Sequence, residues 1–213
     1  MRYNYIVIEG NIGAGKTSLA SMLAERTEAN LLLEEFADNP FLPPFYENPN
    51  RYAFPLELSF LAERYQQLKD KLSAPQDMFR QITISDYLFN KSLIFASINL
   101  RDDEFMLYSK LFGIINSFLP KPELLVYLHK EIPHLQDNIK KRGRSYEQNI
   151  GDDYLNRIQQ GYWDFLKQQQ NQRVVVIDTS KIDFVNNPDD FEAIINCIDN
   201  EYDIGITRVQ EIG

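Results

Sequence analysis

Between Tyr5 and Leu23 the chain reads YIVIEGNIGAGKTSLASML. Gly10, Gly15, Lys16 and Thr17 stand at the spacing G-x-x-x-x-G-K-[ST], with Gly13 as a third glycine. Residues without a Cβ let successive backbone N–H groups converge on one phosphate. A helix starting directly behind them adds partial positive charge. A lysine at this spacing reaches β- and γ-phosphate oxygens, and a threonine hydroxyl ligates Mg²⁺. Gly10, Asn11, Ile12, Gly13, Ala14, Gly15, Lys16, Thr17 and Ser18 are therefore expected to cradle a nucleoside triphosphate. No N-K-x-D guanine-reading motif follows. That points away from a GTPase and toward a kinase of small metabolites using ATP.

The elements that must position this loop are legible as alternating patterns. Short apolar runs at Tyr5–Glu9, Leu31–Glu35, Ile82–Asp86, Leu124–His129 and Val174–Asp178 read as strands. Several are continuously apolar, which suits a sheet covered on both faces. Long helical patterns separate them. Phe54, Leu58, Leu61, Tyr65, Leu68 and Leu72 recur at helical spacing, as do Phe105, Tyr108, Phe112, Ile115 and Leu119. Leu155, Ile158, Tyr162, Phe165 and Leu166 form a third stripe. Alternating strands and helices predict an α/β fold with a doubly wound, five-stranded parallel sheet, flanking helices and a short lid. The stretch ADNPFLPPFYENPNRY carries four prolines and is expected to be an ordered loop. Loops at the carboxyl ends of parallel strands are where such folds place their sites.

Composition bounds the partners. The 213 residues suit one domain, expected to span 1–213, and carry a net charge of −9. A nucleic-acid polymer needs clustered Lys and Arg, so an acidic chain argues against one. The single Cys197 rules out an internal disulfide and a multi-cysteine zinc site, and reads as a small buried hydrophobe. No apolar run approaches the ~20 residues of a membrane span, and MRYNYIVIEG does not read as a signal peptide. A soluble, cytoplasmic protein is expected.

The segments LLLEEFADNPFLPPFYENPNRYAFPLELSFLAER, ITISDYLF and IKKRGRSYE, taken with the glycine motif, resemble the deoxynucleoside kinase family. The likeness is closest to its bacterial deoxyadenosine/deoxyguanosine kinase branch. It implies a P-loop kinase fold, ATP·Mg²⁺ as donor, a deoxynucleoside as acceptor and a homodimer. It places the general base for the sugar 5′-hydroxyl at Glu34, with Glu35 where the family often has proline. Adjacent strand residues point to opposite faces, so one of the pair can serve. Tyr46 matches the tyrosine on the sugar 3′-hydroxyl, and Glu147 the glutamate that shares this contact. Arg142 and Arg144 match arginines of a lid, about residues 140–150, that clamp the transferred phosphate. Asp86 takes the acidic position of the D/E-R-S motif near the metal and the reaction centre, or caps a helix. Tyr87 stands where the motif's arginine belongs, and Lys91, one helical turn on, is a candidate for that charge.

At the nucleobase the likeness departs. Glu57 falls where the family has a base-pairing glutamine, and Lys110 where an aspartate helps read the base. An ionised carboxylate only accepts hydrogen bonds, which suits the adjacent donors of guanine, with adenine left open. Lys110 lies opposite its helix's apolar stripe and is either solvated or turned to the pocket. Two other readings compete: a thymidylate-kinase-like nucleoside monophosphate kinase, and a catalytically silent nucleotide-binding subunit.

Overall fold

The computed structural model describes residues 1–34, 39–73 and 82–209. Six strands form one parallel sheet in the order β2-β3-β1-β4-β5-β6. They are β1 Tyr5–Gly10, β2 Asn30–Leu32, β3 Thr83–Ser85, β4 Leu124–His129, β5 Arg173–Asp178 and β6 Gly205–Val209. Among the described residues the α-helices are α1 Lys16–Thr27, α2 Leu42–Glu47, α3 Pro49–Ser73, α4 Lys91–Asn99, α5 Asp102–Asn116, α6 Ile132–Arg142, α7 Asp152–Lys167 and α8 Pro188–Ile198.

The central strands are apolar on both faces because both faces are covered. Ile6, Ile8, Leu124, Val126, Leu128, Val175 and Ile177 belong to one core with Leu19 and Leu23 of α1 and Ile194 of α8. Their alternates Val7, Leu125, Tyr127, Val174 and Val176 pack with Ile94 of α4 and Ile158 and Tyr162 of α7. The predicted stripes on α5 and α7 face inward as read. β6 was not expected. It is an edge strand with alternating burial, and Gly-Ile-Thr-Arg-Val lacks the continuous apolar run by which the others were found.

The proline-rich stretch corrects the sequence reading. It folds as α2 and the start of α3, not as a loop. Pro43 and Pro44 occupy the first turn of α2, and Pro49 opens α3, where a missing N–H costs no helical bond. Pro55 lies inside α3. The α3 stripe is also rotated from the prediction: Leu58 is exposed, while Ala53, Leu56, Glu57, Leu61, Arg64 and Leu68 are buried. Glu35, the other carboxylate of the Glu34–Glu35 pair, lies outside the described residues.

The glycine loop is shaped by contacts that exclude side chains. Gly13 has φ +83°, and a Cβ there would lie 2.7 Å from the Leu135 carbonyl oxygen. Gly15 has φ +92° at the N-terminus of α1, with the Phe184 ring 2.9 Å from a would-be Cβ. Gly13→Ala should therefore destabilise by about 1–3 kcal/mol. Gly113→Ala, in open space within α5, should be neutral or gain up to about 1 kcal/mol. Denaturant midpoints of the two variants check the contrast, and equal shifts would contradict it.

Candidate active site

Three strand ends converge beside the glycine loop. β1 runs into the loop and α1, Asp86 follows β3, and Glu34 lies just beyond β2. The Glu34 backbone N–H donates to Asp86 Oδ1 at 2.7 Å, which ties the β2 and β3 ends together. The Thr17 hydroxyl donates to Asp86 Oδ2 at 2.6 Å. Asp86 does not cap α4, whose N-cap position is Asn90. Lys16 turns back over its own loop, with Nζ donating to the carbonyls of Gly10 and Asn11, both at 2.9 Å. Burial and the neighbouring Lys91 charge lower the Lys16 ammonium to about 8. Asn11 Nδ2 holds the Leu155 carbonyl at 2.8 Å and Asn138 Nδ2 holds that of Gly13 at 2.7 Å, so α7 and α6 brace the loop.

The Glu34 side chain is 4% exposed and sits between two cations. Arg64 Nε of α3 donates to Oε1 at 2.7 Å, and Lys91 Nζ of α4 donates to Oε2. Burial works against this carboxylate, but Lys91 and Arg64 outweigh it and hold the group at about 2. Arg64 also donates to the Ser92 hydroxyl at 2.8 Å and lies over the Phe60 ring. Tyr87 takes no part here. It is fully buried and does not line the cleft, its hydroxyl donating to Gln67 Oε1 at 2.7 Å.

Residues expected at the lid and at the base line the same cleft. Glu147, in a 3-10 turn at Ser145–Glu147, accepts from Arg142 Nη2 at one oxygen and from Arg144 Nη1 at the other, the latter at 3.3 Å. Tyr146 stacks on Tyr46 with ring centroids 6.1 Å apart. Glu57 is buried in the cleft wall, its Oε1 accepting from Asn99 Nδ2 at 2.7 Å. Ile12, Lys16, Thr17, Glu34, Tyr46, Glu57, Asp86, Arg142, Arg144 and Glu147 all line the cleft, whose empty volume is about 730 Å³. Lys110 is the correction. It is exposed on α5 and does not line the cleft, because Tyr108 and Phe112 are the residues that α5 turns inward.

Three participants escaped the sequence reading. Arg64 stands seven residues after Glu57 on the buried face of α3, and a charged residue in phase with a buried stripe was the available signal. Asn99 offered none. Glu9, 2% exposed at the end of β1, accepts from Leu88 N–H and the Tyr162 hydroxyl, both at 2.7 Å. Burial raises its carboxyl.

Removing one cation from Glu34 should be costly. Arg64→Met leaves a buried carboxylate with one partner, and should lower stability by about 3 kcal/mol at neutral pH. The Glu34 carboxyl is depressed on folding, so its contribution is present above its unfolded value of about 4.3 and is lost as pH falls toward about 2. In the variant the carboxyl rises toward its ordinary range, so the deficit should narrow on acidification. Equilibrium unfolding at about pH 7 and pH 4 checks this, and a deficit independent of pH would contradict it.

The chain that builds this cleft has counterparts among known proteins. Deoxyguanosine kinase of Bacillus subtilis (strain 168) is 38% identical over 197 residues, spanning 89% of this chain and 93% of that protein. Deoxyadenosine kinase of Lactobacillus acidophilus is 32% identical over 217 residues, spanning 98% and 97%. A solved structure of deoxyadenosine kinase from M. mycoides with bound dATP shares the fold at TM-score 0.77 and 22% identity, covering 92% of this chain and 98% of that one. The sequence profile described as Deoxynucleoside kinase matches residues 6–202. The chain belongs to the deoxynucleoside kinase family, and is a phosphotransferase of α/β architecture.

Proposed function

We propose that this kinase transfers the γ-phosphoryl group of ATP to the 5′-hydroxyl of a purine deoxynucleoside. The products are a deoxynucleoside 5′-monophosphate and ADP, a salvage reaction. The observation that carries the reading is Glu34, an ionised carboxylate enclosed between Lys91 and Arg64 and facing the glycine loop across one cleft. The purine rests on the names of the relatives and on Glu57 in the cleft wall.

Glu34 accepts a hydrogen bond from the 5′-hydroxyl and aims its oxygen at the γ-phosphorus. A carboxylate held at about 2 is a weak base. A loose transition state asks little of a base, because the hydroxyl proton leaves late and positioning supplies most of the rate. Lys91 and Arg64 keep the carboxylate in place, and both are occupied by it. That argues against an acceptor already carrying a phosphate. Lys91 takes the part of the motif arginine that Tyr87 replaces: its ammonium lies between Glu34 and Lys16 and can meet developing charge on the transferred group.

On the donor side, Lys16 exchanges its two loop carbonyls for phosphate oxygens. The polyanion raises its lowered affinity for a proton, so the lysine is charged when it acts. Thr17 and Asp86 would hold Mg²⁺, which keeps several waters and needs few protein ligands. That fits a hydroxyl and a single carboxylate 2.6 Å apart. When bound, the ion neutralises charge on the β- and γ-phosphates. Residues 140–150 act as the lid, in which Arg142 and Arg144 turn from Glu147 to the phosphoryl group. Glu147 is then released with Tyr46 to the sugar 3′-hydroxyl. Closure excludes water, the competing acceptor. A homodimer and a cytoplasmic setting complete the reading, on the family resemblance and the single cysteine.

Glu34→Gln should lower kcat by about 100-fold or more while deoxynucleoside binding persists. Turnover and calorimetric binding on one preparation check it, and undiminished turnover removes Glu34 from the reaction. Lys91→Met should lower kcat by about 10²-fold or more, with Lys91→Arg recovering part of the loss. If arginine and methionine fail equally, positive charge at this position is not what the reaction uses.

A further inference from the structure

The cleft wall holds a carboxyl group with one oxygen short of a partner. Glu57 Oε1 is engaged by Asn99, whereas Oε2 is buried and makes no hydrogen bond among the described residues. Leaving a buried acceptor unpaired is costly, so a ligand group is its natural complement. The side chain is 1% exposed and lines the cleft, so it is both dry and within reach of a ligand.

Ionisable groups face Glu57 from its own helix and from the elements around it. Arg64 lies on α3, Glu34 beyond β2 and Lys91 on α4. Tyr108 of α5 donates its hydroxyl to the Glu57 main-chain oxygen at 3.3 Å, and Tyr154 of α7 adds a second phenol. Burial raises the Glu57 carboxyl, Arg64, the Asn99 amide and Lys91 oppose this, and Glu34 adds to it, leaving the group at about 7.

The two protonation states present different edges. The carboxylate offers acceptors alone, and the carboxylic acid one donor beside one acceptor. Guanine presents two adjacent donors, N1–H and N2–H. Adenine presents the N6 amino donor beside N1, an acceptor. Resting on the purine-kinase reading above, we infer that Glu57 chooses between the purines by its own protonation, the carboxylate taking guanine and the carboxylic acid adenine. The mismatched pairs each set two acceptors, or two donors, face to face. The residue is thereby a specificity determinant whose setting moves with pH.

The test is the ratio of kcat/KM for deoxyguanosine to that for deoxyadenosine, measured across the neutral range. Lys16 and Glu34 act on either substrate alike, so their titrations cancel in the ratio. The ratio should rise with pH by about tenfold or more, the scale of one matched against one mismatched hydrogen bond. Glu57→Gln presents a donor and an acceptor that do not titrate, so it should flatten the profile and favour deoxyadenosine. Asn99→Ala removes a donor to Oε1 and should move the inflection to higher pH. A flat ratio in the unaltered enzyme overturns the inference, as does a slope that survives Glu57→Gln. The unaltered enzyme decides the first of these even if a variant fails to fold. Phosphorylation of pyrimidine deoxynucleosides alone, with neither purine accepted, is a different result. It overturns the purine reading and the inference with it.

Discussion

A negative charge held dry between two cations organises this site. Glu34 carries one oxygen to Arg64 and the other to Lys91, and its main chain donates to Asp86. Those bonds join the ends of β2 and β3 to α3 and α4. A carboxylate buried alone would take up a proton instead, and a neutral group could not orient an alcohol as an anion does. The two cations keep it charged. They also fix it in the cleft that Lys16 and Thr17 of the glycine loop line with it. The same arrangement limits how basic Glu34 can be, which matches chemistry resting on position and on charge stabilisation.

Three buried glutamates in one small region take three states from their surroundings. Glu9 has its oxygens on Leu88 N–H, Gly10 N–H and the Tyr162 hydroxyl, so it serves as a tether between β1, the β3–α4 link and α7. Glu34 is saturated by cations and stays ionised. Glu57 has one neutral donor and one idle oxygen, and its carboxyl lies near neutrality. Identical side chains thus become a brace, a fixed anion and a carboxyl near its own midpoint. Environment assigns such roles, as in other enzymes with paired carboxyl groups.

The glycine loop shows how packing supports this electrostatics. Its turns are crossed closely by Leu135 of α6 and by the Phe184 ring, and its carbonyls are engaged by Asn138 and Lys16. Charge gathers the 142–147 segment in a similar way, since Glu147 pairs with both Arg142 and Arg144. Their guanidinium groups are only partly exposed, so they are held near the cleft.

The linear chain by itself settled the features that local chemistry dictates. The phosphate loop is contiguous and its spacing is its mechanism, so it could be read directly. β4, β5 and the inward faces of α5 and α7 follow from period and burial. What needed the tertiary structure depends on distance through space. Prolines at helix starts look like loop residues until the helices they open are seen, and β6 has no apolar run to announce it. Lys110 matched an alignment yet lies on the solvent side of α5, because Tyr108 and Phe112 claim the core. Arg64, Asn99 and Lys91 acquire their parts only when α3 and α4 are packed side by side, since a salt bridge or an orphaned oxygen is a property of neighbours. Residue type told which groups could carry charge. Only the fold decided which charges would meet, because burial and proximity set protonation and no single position in a chain contains either.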